Sequence, residues 1–206
     1  MAGSWFCELA GHDEVARRWK EASALGGYTI GGLVAHVGAA VAWLGAVIDT
    51  SEPEGVPVIG LGDYYGPFAV RTNDDLDSAV HTMLRAQGER GAEAGATDTV
   101  AKLRTRVDKL GQRLTDEDGS RLLDLRPSLP VTMRLDDFVA TRVVELVVHG
   151  DDLAVSAGIT AQPPPEGSAS TIETLMTTVV TQHGDLEVIR ALARSERSQA
   201  RVFPAL

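Results

Sequence analysis

Glu145 and His149 stand four residues apart in the run TRVVELVVHGDDLA. On a helix that spacing puts both side chains on one face, roughly 6 Å apart along the axis. Around them lie Val143, Val144, Leu146, Val147 and Val148, and a helix apolar nearly all round is a buried one. A carboxylate and an imidazole in such a place are costly unless they are compensated. Two compensations fit the residue types. One is an internal pair, carboxylate to imidazole, as is common at this helical spacing. The other is a divalent metal ion, which takes carboxylate oxygen and imidazole nitrogen together.

Two donors on one helix do not close a metal site, so a third must come from a facing element. His36 is the candidate. It sits in the stretch Thr29 to Asp49, where Leu33, Val37, Ala40, Val41, Leu44, Val47 and Ile48 recur at helical spacing, and it borders that apolar stripe. His12 lies in charged sequence, His81 in a largely polar helix and His183 at a helix break, so these three are weaker candidates. Around the pair, Arg142 precedes Glu145 by one turn. Its guanidinium suits either the Glu145 carboxylate or a substrate carboxylate. Asp152 follows His149 by three residues and suits its second ring nitrogen. Trp43 is a candidate for lining the cavity, against the simpler role of core packing.

The elements that must hold these residues are helical. Thr29 reads as the N-cap of the His36 helix, and a shorter helix precedes it near His12 to Ser23. The stretch 51–68, rich in Gly and Pro, reads as a loop. A third helix is expected from about Asn73 to Glu93, capped by Asn73-Asp74-Asp75. Thr97 to Leu114 either continues it or forms a helix of its own. RLLDLRPSLPVTMRL reads as a loop or a short strand pair. Asp136-Asp137 opens the Glu145 helix and Gly158 ends it. The stretch Thr160 to Gly167 reads as a linker. Two more helices follow, about Ser170 to Gln182 and Asp185 to Arg194, before the tail ARVFPAL. The expected fold is therefore mainly all-α, an up-and-down four-helix bundle over residues 1–160. A small C-terminal helical extension over 161–206 packs on it. Bundles of this kind build their metal and cofactor sites between facing helices.

Bulk properties narrow the function further. With 206 residues, 44% of them hydrophobic, the chain can bury a substantial core. The net charge of -10 opposes a nucleic-acid or anionic-membrane partner, both of which select a basic face. Cys7 is the single cysteine, which removes an internal disulfide and fits a reducing compartment. No secretion signal or run of about 20 uncharged apolar residues stands out, so a cytoplasmic location is expected. A monomer or a homodimer is equally compatible.

The segments TRVVELVVHGDDLAVSAG and YTIGGLVAHVG together resemble the mycothiol-dependent maleylpyruvate isomerase family, part of the wider DinB-like group of metal-binding bundles. HGDLEVIRALARSER is similar to the C-terminal segment of many small members, and the likeness runs from about residue 4 to 203. The resemblance implies a divalent metal, usually zinc, held by His36, Glu145 and His149. It also implies mycothiol, the low-molecular-weight thiol of actinobacteria, as the second cofactor. The implied reaction is cis–trans isomerisation of maleylpyruvate to fumarylpyruvate, or transfer of the thiol to other small electrophiles. Members that give the isomerase its name carry a separate C-terminal α/β domain, whereas the residues after this proline linker read as helices and a tail. A bundle that keeps a metal only for stability, without catalysis, is the alternative. Scarce lysine beside abundant arginine fits a high-GC genome.

Overall fold

A computed structural model describes residues 1–50, 53–65 and 78–194. In chain order they form α1 (Ala2–Ala10), α2 (Asp13–Arg17), α3 (Ile30–Val47), β1 (Val58–Ile59), α4 (Leu61–Asp63), α5 (Ala79–Ala92) and α6 (Gly95–Leu114). There follow β2 (Leu122–Asp124), β3 (Thr132–Arg134), α7 (Leu135–Ala157), α8 (Pro165–His183) and α9 (Asp185–Ala193). The architecture is the expected all-α, DinB-like bundle. Helix α3 is its hub, with α5, α6 and α7 all packed against it.

Local chemistry explains where the two site helices begin and end. Thr29 is extended, and its hydroxyl oxygen accepts from the Gly32 N–H at 2.9 Å, satisfying one of the free donors of the first turn of α3. The same end is tied to α5. The Glu89 carboxylate accepts from the Thr29 N–H at 2.7 Å and from its hydroxyl at 2.9 Å, placing negative charge at the positive end of the helix dipole. Helix α7 starts with Asp136 and Asp137 in its first turn and stops at Gly158, whose φ of 69° is left-handed.

Two apolar clusters flank the middle of α3. One joins Phe6, Leu9, Leu33, Val34, Val37, Leu103 and Leu153. The other gathers Leu44, Ile48, Leu123, Leu125, Met133 and Phe138 where α3, α7 and the strands meet. The strands form a small sheet in the order β1-β3-β2, with β1 parallel and β2 antiparallel to β3.

Several boundaries differ from the expectation. The first ten residues hold α1, which the sequence reading did not assign; Ala2, Phe6, Leu9 and Ala10 bury one face of it. Only Asp13–Arg17 of the expected His12 to Ser23 helix is helical, with His12 as its cap. Part of the expected 51–68 loop pairs with β3 as β1, and RLLDLRPSLPVTMRL supplies the strand pair β2–β3. Helix α6 is separate from α5, divided at Gly95 with φ of 83°. The linker is shorter than expected, because α8 begins at Pro165 with proline in its first turn, where the missing N–H costs nothing. The expected cap at Asn73-Asp74-Asp75 and the tail ARVFPAL lie outside the described residues. By length and composition α3 is apolar enough to cross a membrane, contrary to the expectation of no such run. In the fold it is a core helix, with ten residues buried among its neighbours.

Candidate metal centre

Phe138 stacks edge-on against Trp43, while His149 meets His36 with ring centroids 5.3 Å apart, so α3 and α7 run antiparallel past each other. That crossing brings the three expected donors together. Glu145 Oε2 lies 3.8 Å from His36 Nε2 and 3.3 Å from His149 Nε2. One donor atom from each residue falls within 4.8 Å of both others. The His36, Glu145 and His149 side chains keep 18%, 20% and 16% exposure, so the cluster is sheltered yet reachable from outside.

The other ring nitrogens are already engaged. His149 Nδ1–H donates to Asp152 at 2.9 Å, since a carboxylate can only accept. This holds the ring so that Nε2 faces Glu145 and His36. The Tyr28 hydroxyl lies 3.5 Å from His36 Nδ1, at the outer limit of a hydrogen bond. Burial raises the Tyr28 phenol to about 12, so it keeps its proton.

Charge in the cluster is unevenly held. Burial pulls His36 down to about 4, only partly offset by Glu145, so this ring is neutral with a free lone pair. Burial also opposes charge on His149, but hydrogen bonds to Asp152 and Glu145 outweigh it and lift the ring to about 9. Burial opposes ionised Glu145 too; contact with His149 and the fields of Arg142 and His36 overcome it and hold the carboxyl near 2. Without a cation, then, the site is a carboxylate bracketed by one imidazolium and one neutral imidazole.

Arg142 makes no ion pair with Glu145 among the described residues. Its Nη2 donates to the Tyr64 hydroxyl at 2.6 Å and its Nε to Thr141 Oγ1 at 3.1 Å. The guanidinium lies 4.8 Å from the Phe138 ring centre, 5.2 Å from Trp43 and 5.6 Å from Tyr64. Trp43 therefore stands in an aromatic cage around Arg142. The guanidinium is buried, and it acts on Glu145 through its field.

Tyr28, Tyr64 and Tyr65 are not among the residues that the sequence singles out. Tyr65 donates to the Thr141 carbonyl at 3.2 Å and packs edge-on against Tyr64. Both tyrosines come from the 51–68 stretch, where no periodicity signals an inward side chain. His12 and His183 lie outside the cluster, one capping α2 and the other in the last turn of α8.

The donor set fits a divalent cation. It offers two imidazole nitrogens and one carboxylate oxygen from two helices, with Asp152 and Tyr28 at the remaining ring nitrogens. The family profile described as mycothiol maleylpyruvate isomerase N-terminal domain matches residues 9–154. The chain belongs to that family. The match spans α3 and most of α7, and so includes His36, Glu145 and His149. No curated protein and no solved structure matches the chain.

Proposed function

We propose that residues 1–160 form a metal-binding unit in which His36, Glu145 and His149 hold one divalent cation, zinc being the best match. The protein works with mycothiol on a small electrophile, as a maleylpyruvate isomerase or a thiol S-transferase. Residues 161–206 are an extension on that unit. The observation that supports this most strongly is the convergence of three donors within 4.8 Å, with Asp152 holding the His149 tautomer. Three protein donors leave coordination positions open. A cation bound there supplies the Lewis acidity that turns a thiol into thiolate at neutral pH.

The chain's own residues have separate tasks. Asp152 orients His149, and Glu145 supplies the negative charge. Arg142, held by Tyr64 and its aromatic cage, offers positive charge toward a substrate carboxylate. The apolar walls of α3 and α7 limit water. For isomerisation, a thiolate would add reversibly to one carbon of the conjugated cis double bond, moving the alkene pair onto the conjugated carbonyl; the single bond so left could rotate, and return of that pair would expel the thiolate and give the trans product.

The alternative is a bundle in which this cluster serves stability alone, and one observation favours it: Glu145, His149 and Asp152 already compensate one another. A thiol-dependence assay separates the two readings. Metal-loaded protein with maleylpyruvate should turn over only with mycothiol, and Glu145→Gln should abolish turnover. A Glu145→Gln protein that merely melts at lower temperature, alongside inactive wild type, would support the alternative.

A further inference from the structure

Tyr28 reaches the cluster from the turn before α3, and its position there is fixed by three elements. Its carbonyl accepts from the Ser23 N–H at 2.9 Å and from the Ser23 hydroxyl at 3.0 Å. The Ala24 N–H donates to Ser156 Oγ at 2.7 Å, which ties the turn to α7. The Tyr28 ring lies close against α5, where a Cβ added at Gly88 would stand 3.0 Å from it. It meets the His36 ring of α3 with centroids 5.3 Å apart. A buried side chain so held brings its hydroxyl to one place, 3.5 Å from His36 Nδ1, its hydrogen-bonding neighbour among the described residues.

The two groups can pair in either sense. A phenol hydroxyl both donates and accepts, and a neutral imidazole has one nitrogen of each kind. His36 Nε2 faces the Glu145 carboxylate at 3.8 Å. A carboxylate only accepts, so in metal-free protein its field favours the ring proton on Nε2. The Nδ1 lone pair is then left to accept from the Tyr28 O–H. A cation held by His36 and Glu145 together requires the Nε2 lone pair, and the ring proton then sits on Nδ1.

Resting on the proposed cation site, we infer that Tyr28 is a positioning residue whose hydrogen bond to His36 reverses. The hydroxyl donates to Nδ1 in metal-free protein and accepts from Nδ1–H in loaded protein. His36 therefore changes tautomer without losing its partner. Asp152, a carboxylate, can only accept from His149, so the two imidazoles are held by partners of different kinds.

The test reads the ring nitrogens directly. Long-range proton–nitrogen NMR spectra of isotope-labelled full-length protein are recorded at neutral pH, chelator-treated and zinc-loaded, with His36 assigned by its loss in His36→Gln. Wild type is compared with Tyr28→Phe, with circular dichroism as the check on the fold and chelator competition for zinc affinity. In wild type, Nδ1 of His36 should be an unprotonated acceptor after chelation and should carry the ring proton after zinc loading. In Tyr28→Phe the chelated Nδ1 signal should move toward that of a free lone pair, and the loaded Nδ1 proton should exchange faster with water. Zinc affinity of the variant should fall about tenfold, with the fold unchanged. A tyrosine that only packs would leave the Nδ1 signals where they are. Nδ1 protonated in both wild-type states, Nδ1 signals unmoved by Tyr28→Phe, or wild-type zinc affinity in that variant would each overturn the inference. The wild-type spectra alone decide the reversal should Tyr28→Phe fail to fold. Wild-type protein that takes up no zinc would instead remove the proposed function, and the reversal with it.

Discussion

Metal-free protein should be most stable near pH 6.5, because two histidines of the same cluster are displaced in opposite directions. His149 rises from 6.5 to about 9 through its bonds to Asp152 and Glu145, against the pull of burial. Its contribution is complete below pH 6.5 and is lost as pH climbs through 9. At about 1.4 kcal/mol per pH unit, that displacement is worth roughly 3 kcal/mol. His36 falls from 6.5 to about 4, chiefly through burial. Its contribution is complete above pH 6.5 and disappears as pH drops through 4, with a similar size. Glu145, lowered to about 2 despite burial by His149 and its neighbours, adds to the acid limb only below pH 4.5. The assay is urea denaturation of chelator-treated protein from pH 5 to 9. His149→Gln should flatten the limb above pH 7, and His36→Gln the limb below 6.5. Stability of metal-free wild type that keeps rising from pH 6.5 to 9, or an alkaline limb unchanged in His149→Gln, would refute the reasoning.

Asp152→Asn removes the carboxylate that fixes His149 and should weaken divalent-cation affinity by about 10–100-fold in a chelator competition; unchanged affinity would show that Asp152 does not position the ring. Gly31→Ala places a methyl group against the ring of buried Trp19, which is held by its bond to the Ala92 carbonyl. Overpacking of this kind costs about 1–3 kcal/mol, more than the gain of about 1 kcal/mol from alanine in a helix. A lower midpoint in thermal or urea unfolding is expected, and equal or higher stability would contradict the tight approach of the Trp19 ring to α3.

The site helices were the most legible part of the chain, for physical reasons. Thr29 before an apolar 3.6-residue period, and Asp136-Asp137 before another that ends at Gly158, announce their own boundaries. The pairing of Glu145 with His149 follows from helical spacing alone, as does the Asp152 contact one turn on. What the sequence did not reveal depends on tertiary contacts. The two-residue strand β1 has no alternation to read and exists because Thr132 and Met133 offer it an edge. Helix α1 carries an apolar face at Ala2, Phe6, Leu9 and Ala10, but nine residues are too few for that period to stand out. Arg142 could be placed on the Glu145 face, yet its partner Tyr64 caps α4, a single turn too short to carry a periodic signature. The helix that carries His81 is polar overall, with only Gly88 and Ala92 fully buried. Composition hides the narrow inward stripe through Arg85, Gly88 and Ala92.

X-ray absorption at the zinc edge of zinc-loaded protein tests the central claim most directly. The account predicts one ion per chain with two imidazole nitrogens and a carboxylate oxygen at about 2.0–2.2 Å, and loss of one nitrogen ligand in His36→Gln. A substoichiometric ion, or a spectrum that His36→Gln leaves unchanged, would contradict it.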